Sequence, residues 1–185
     1  MKYPKRPLSE GEVRRMFAKS RGRDRVLLTL LWRGGLRNFE ACAVRGADVE
    51  LRPDGTGRIH VVRGKGDIER YVGLDRRAAE IVCGWLGAQQ SGSWGGHILQ
   101  TASGQPLQTT QVRRTVRLLA GKAGIRDRVH PHALRHRYAR EMYDEGIGIR
   151  AIQLNLGHQS LKTTQIYLSS LGCDEAVELA AGRTW

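Results

Sequence analysis

Two strand-like segments interrupt a chain whose other apolar runs are helical, and this limits the possible fold more than any other feature. Arg58-Ile59-His60-Val61-Val62 reads as one strand, Gly64-Lys65-Gly66-Asp67 as a turn, and Ile68-Glu69-Arg70-Tyr71-Val72 as the returning strand. Before them, Ser9 and Glu12 form a capping box that opens a first helix towards Lys19. A second helix, from about Asp24, carries Val26-Leu27-Leu28-Thr29-Leu30-Leu31-Trp32 and stops at Gly34-Gly35. A short third helix follows Arg37, and Pro53-Asp54-Gly55 marks a turn. After the hairpin, helices are expected over 76–90, 109–121, 132–145, 149–156, 162–168 and 174–181, with a Gly/Ser-rich loop at 91–96. With no internal repeat or linker, the chain reads as one domain over 1–185, mostly helical with a small antiparallel sheet.

Charge indicates the class of partner. Of the +13 net charge, residues 1–25 contribute nine Lys/Arg against three acids, and residues 113–140 nine against one. Basic surfaces of this size favour a polyanion, most simply the phosphate backbone of DNA. Arg113, Arg114, Arg117 and Lys122 are the candidate contacts. No amphipathic helix stands apart to serve an anionic membrane, and no apolar run approaches the roughly 20 residues of a membrane span. The first residues lack a signal peptide's apolar stretch. Cys42, Cys83 and Cys173, odd in number and without CxxC spacing, read as reduced thiols of a cytoplasmic protein.

The chemistry concentrates between His130 and Tyr167. This stretch holds His132-Ala133-Leu134-Arg135, then Leu156-Gly157-His158, and nine residues after that histidine Tyr167. Pro131 before His132 suggests a helix start, which puts His132 and Arg135 one turn apart on one face. Phosphodiester transfer needs a nucleophile in line, cations for the charge on the non-bridging oxygens, and a proton for the departing alkoxide. An arginine's planar fork suits the second task. A tyrosine suits the first, because a phosphotyrosyl ester conserves the bond energy and lets the strand be resealed without ATP. A zinc reading of His130, His132 and His136 lacks a Cys or carboxylate ligand nearby, and the Glu of HExxH is missing.

The run HPHALRH, the LGH, and Ser160-Leu161-Lys162-Thr163-Thr164-Gln165-Ile166-Tyr167 together resemble the tyrosine recombinase (phage integrase) family. Upstream, Gly35-Leu36-Arg37-Asn38-Phe39-Glu40 is similar to that family's Gly-Leu-Arg-x-x-Glu motif, Phe39 standing where a small residue is usual. Lys65, between two glycines at the hairpin tip, falls where the family holds a catalytic lysine. The resemblance runs from roughly Leu8 to Cys173.

It implies the family's mixed α/β catalytic domain and a site-specific recombinase or integrase, as carried by mobile elements, working without metal, ATP or cofactor. Tyr167 would attack the phosphate. Arg37 and Arg135 would clamp it, with His132 and His158 beside it, Lys65 would protonate the leaving 5′ oxygen, and Glu40 would orient Arg37. Double-stranded DNA, a homotetramer on two duplexes, accessory DNA-bending proteins and a nucleoid-associated location are implied as well. The family's usual N-terminal core-binding domain is not expected here, the chain starting almost directly at the catalytic domain. Tyr3, Tyr71, Tyr138 and Tyr143 lack the context of Tyr167, and the last two read as packing residues behind Arg135. Two alternatives remain at this point: a type IB topoisomerase-like enzyme, and a DNA-binding relative without turnover.

Overall fold

The computed structural model describes residues 8–62, 69–88 and 96–157. Helix α1 (Glu10–Ala18) opens on the expected box: Ser9 Oγ accepts from the Glu12 amide, and Glu12 accepts from the Ser9 amide. Helix α2 (Gly22–Trp32) carries the long apolar run, and every residue from Val26 to Trp32 is buried. A helix apolar on all sides must be surrounded. Accordingly α2 runs through the middle of the molecule, touching α3 (Asn38–Ala43), α4 (Arg76–Ala88), α5 (Thr109–Lys122) and α6 (Pro131–Asp144). Each leucine enclosed there stabilises the fold by about 2 kcal/mol.

Among the described residues the sheet has three strands, β1 (Val49–Leu51), β2 (Gly57–Val61) and β3 (Arg70–Leu74), antiparallel in that order. Val49 pairs with Ile59 and Ile59 with Val72, so three buried residues form one row across the inner face. Alternation then fixes the rest of β3. Val72 and Leu74 point inward, and so does Arg70, two residues earlier. On the outer face His60 stacks on Tyr71 at 4.8 Å, with Arg58 over the same ring.

The sequence reading differs from this in particular places. The returning strand begins at Arg70 rather than Ile68, which lies outside the described residues, and β1 joins the expected hairpin as a third strand. Three residues are too short for a period of two to be visible, and two of them, Glu50 and Leu51, face solvent. Between α4 and α5, Ile98 and Leu99 are buried, His97 bridges to Arg45, and Trp85 Nε1 donates to the Ile98 carbonyl. The helices expected at 162–168 and 174–181, and most of the loop at 91–96, lie outside the described residues. Helix α7 (Ile149–Leu156) packs on α6 through a second, smaller apolar cluster of Tyr138, Ala139, Ile152 and Leu156, and also touches β3.

Candidate active site

Where α2 ends, Gly34 and Gly35 turn the chain out of the helix. Gly35 sits at φ +58°, and a Cβ there would run into the Tyr138 ring. The turn aims the Gly35 carbonyl at α6 and delivers Arg37 to the start of α3. Glu40, one turn on, accepts from the Arg37 amide at 2.7 Å and from its guanidinium at 2.8 Å. One carboxylate therefore caps α3 and fixes Arg37, the orienting contact expected from the sequence.

Arg135 stands on α6, with Pro131 in the first turn and His132 one turn before it. It is not a surface arginine: its side chain is 0% exposed, against 20% for Arg37. Its guanidinium donates to the Gly35 carbonyl at 2.6 Å and the Leu156 carbonyl at 2.5 Å, and lies 3.8 Å from Glu40. His132 is half-buried between these charges. Burial first, then the positive charge of Arg135, His130 and Arg37, lowers its pKa to about 4, so the imidazole is neutral at pH 7. Its ring lies 6.3 Å from that of His130 and 4.5 Å from that of His136. Among the described residues no group of three His, Cys, Asp or Glu side chains is arranged to hold a metal ion.

Arg70 completes the arrangement, and the sequence reading had it only as a strand residue. Its two terminal nitrogens each donate to one oxygen of Glu40 at 2.9 Å, and its Nε donates to the Asn155 carbonyl at 2.8 Å. Burial alone would raise the pKa of Glu40. The hydrogen bond and charge of Arg70, followed by the bonds from Arg37, reverse that and hold it at about 2.

These arginines meet at one place, the C-terminal end of α7. Asn155 O accepts from Arg70, Leu156 O from Arg135, and Gly157 O from Arg37 at 2.8 Å. The last carbonyls of a helix lack partners within it and carry its negative pole, so guanidiniums are well suited to them. Gly157 ends the helix at φ +62°, where the helix expected over 149–156 stops, and a Cβ there would lie 3.0 Å from Arg70.

Other expectations divide. Arg113, Arg114, Arg117 and Lys122 are exposed on the outer side of α5, whose Val112, Val116 and Leu119 face the core. Tyr138 is buried in the small cluster, donates to Asn155 Oδ1 at 3.1 Å, and has its phenol pushed up by burial to about 12. Tyr143 packs partly buried against the same cluster. Neither is placed as an activated nucleophile. Cys42 and Cys83 form no disulfide, and burial raises both thiols, Cys42 to about 11. Lys65, His158 and Tyr167 lie outside the described residues, as does Cys173.

Three comparisons bear on this arrangement. The sequence model of the phage integrase family matches residues 6–172. Tyrosine recombinase XerA of Thermococcus kodakarensis is 35% identical over 179 residues, which cover 90% of this chain and 61% of that protein. Tyrosine recombinase XerC of Listeria welshimeri is 33% identical over 150 residues, covering 78% of this chain and 49% of that one. The chain thus spans about half the length of the curated relatives it matches. Among solved structures, XerA recombinase superposes with a TM-score of 0.81 at 28% identity, over all of this chain and 66% of that one. The pre-cleavage complex of XerH site-specific recombinase with its difH substrate gives a TM-score of 0.78 at 24% identity, over 98% of this chain and 55% of that one.

Proposed function

This chain belongs to the phage integrase family, and on that premise we propose that it cuts and rejoins DNA strands at specific sites through a covalent phosphotyrosine. The observation that carries the reading is the convergence of Arg37 and Arg135, from distant parts of the chain, on the buried carboxylate of Glu40, with a neutral His132 one turn before Arg135.

Two guanidiniums can neutralise charge on the non-bridging oxygens of a scissile phosphate. Arg37 stands at the opening and Arg135 behind it, so phosphate oxygens reach them by taking the place of the Gly157 and Leu156 carbonyls. The neutral imidazole of His132 adds a hydrogen bond without competing charge, and His158 supplies a second. The phenolic oxygen of Tyr167 gives up its proton to water and attacks phosphorus, and the bond to the 5′ oxygen breaks. Lys65 gives that oxygen its proton, leaving a 3′-phosphotyrosyl ester and a free 5′ hydroxyl. Attack by a partner strand's 5′ hydroxyl reverses the step, with no metal or ATP consumed. Glu40 keeps Arg37 aimed.

The partner is double-stranded DNA, gripped in part by Arg113, Arg114, Arg117 and Lys122, and four copies assembled on two duplexes carry out the exchange. DNA-bending proteins and a core-binding domain are the accessory parts that such an assembly calls on. A nucleoid location follows from a DNA partner, and among the described residues no helix is long and apolar enough to cross a membrane. Incubation with a pool of nicked suicide duplexes, then denaturation in SDS, tests the reading. A protein–DNA adduct that is lost in Tyr167→Phe supports it. DNA binding with no adduct, or an adduct that survives the substitution, would overturn it.

A further inference from the structure

We infer that Arg70 is a positioning residue for strand cleavage, binding β3 to the start of α3, which carries Arg37, and to the C-terminal end of α7; this rests on the reading above. Its inward place on β3 follows from alternation with Val72 and Leu74. There it meets Glu40 in a bidentate pair, both distances 2.9 Å, while its third donor takes the Asn155 carbonyl. Its side chain is 7% exposed and that of Glu40 0%, so water does little to weaken the pair.

The connections close into a ring. Arg70 holds Glu40, Glu40 holds Arg37, Arg37 holds the Gly157 carbonyl, and the chain runs back from Gly157 to Asn155 and Arg70. Lys65 lies five residues before Arg70 in sequence, and His158 directly follows Gly157. Gly157 itself accommodates Arg70, since any side chain there would press on its Cδ and Nε at 3.0 Å. Only a planar fork supplies two parallel donors to a carboxylate and a third, pointing away from them, to a carbonyl. A lysine keeps the charge but not this geometry.

Two variants separate positioning from simple charge balance. Arg70→Lys keeps the charge beside Glu40, and Arg70→Met keeps only the length of the stem. Melting temperature is measured first, so that folded protein is compared with folded protein. Hydrogen–deuterium exchange is then read on peptides covering 37–40 and 155–157, with α2 as the internal reference. Adduct formation is followed in a single turnover with the nicked pool at saturating protein, and DNA affinity is measured separately.

Both variants should exchange faster at 37–40 and 155–157 while α2 stays protected. Cleavage should fall by about 100-fold, the scale of a 1 Å misplacement, at unchanged affinity. Cleavage by Arg70→Lys within threefold of the unsubstituted protein overturns the inference, because charge alone would then suffice. If the unsubstituted protein gives no adduct, the functional reading fails instead, and exchange decides alone. Unchanged exchange in Arg70→Met overturns the clamp, and faster exchange at both segments supports it.

Discussion

The Arg135 guanidinium donates to the carbonyl of Gly35, one hundred residues earlier in the chain, at 2.6 Å. The end of α2 and the first turns of α6 are joined by this bond, and the bond depends on a backbone shape that only glycine adopts without strain. Gly35→Ala meets both the cost of φ +58° and the Tyr138 ring. It should destabilise the protein by more than about 1 kcal/mol, lowering Tm by about 3 °C or more. A melting curve that superimposes on that of the parent would contradict this dependence.

Arg135 tests the clamp. Arg135→Lys retains the charge but serves one of the two carbonyls, Gly35 or Leu156, rather than both. Single-turnover cleavage of the trapped duplex should fall by about 100-fold or more, the scale for losing one preorganised donor to a developing anion. Cleavage at the parent rate would remove Arg135 from the proposed chemistry.

Two groups with large shifts contribute to the pH dependence of the fold's stability, one mainly above pH 4 and one mainly below 4.5. Glu40 falls from its ordinary 4.5 to about 2 on folding. Its contribution is complete above 4.5 and is lost as pH falls towards 2, a difference of about 3 kcal/mol. His132 falls from 6.5 to about 4, so the unfolded chain takes up its proton first and stability declines as pH drops from 6.5 to 4. Denaturant titrations from pH 8 to 3 should show both slopes. In Glu40→Gln the lower one becomes shallower, and in His132→Gln the upper one, where His130, also lowered by burial, leaves a remainder. Slopes unchanged by their own substitution would assign the acid sensitivity elsewhere.

The outer side of α5 makes a salt-dependent prediction. Replacing Arg113, Arg114 and Arg117 together by Ala should weaken DNA binding without unfolding the protein, since all three are exposed. The slope of log K against log salt should become shallower by about 0.9 for each phosphate no longer neutralised. Anisotropy titrations between low and moderate salt read it directly, and an unaltered slope would place the DNA on another face.

Features set by neighbours along the chain were legible in the sequence itself. The Ser9–Glu12 box, the glycine stop after Leu156 and the Arg37–Glu40 contact all act across four residues or fewer, where spacing dictates geometry. The central helix was equally plain, because seven consecutive residues without a polar face, Thr29 apart, leave few other places to lie. Arg70 was hidden for the opposite reason. Its partners Glu40 and Asn155 lie 30 and 85 residues away, and an arginine on a strand reads as solvated until the sheet's register turns it inward. Strand β1 and the buried Ile98-Leu99 segment also owe their places to tertiary contacts, being too short to show a period. Lys65, His158 and Tyr167 stand on their sequence motifs alone.

At the end of α7, three successive carbonyls each engage a different arginine: Asn155 with Arg70, Leu156 with Arg135, Gly157 with Arg37. Those carbonyls share one stretch of backbone, so a single short segment takes one bond from each of three separate parts of the chain, while Glu40 keeps its own hold on Arg37 and Arg70, and the Gly35 carbonyl its hold on Arg135. The aim of the two guanidiniums proposed to receive a phosphate is thus tied to where one short helix rests, with Arg70 gripping that helix end rather than the anion.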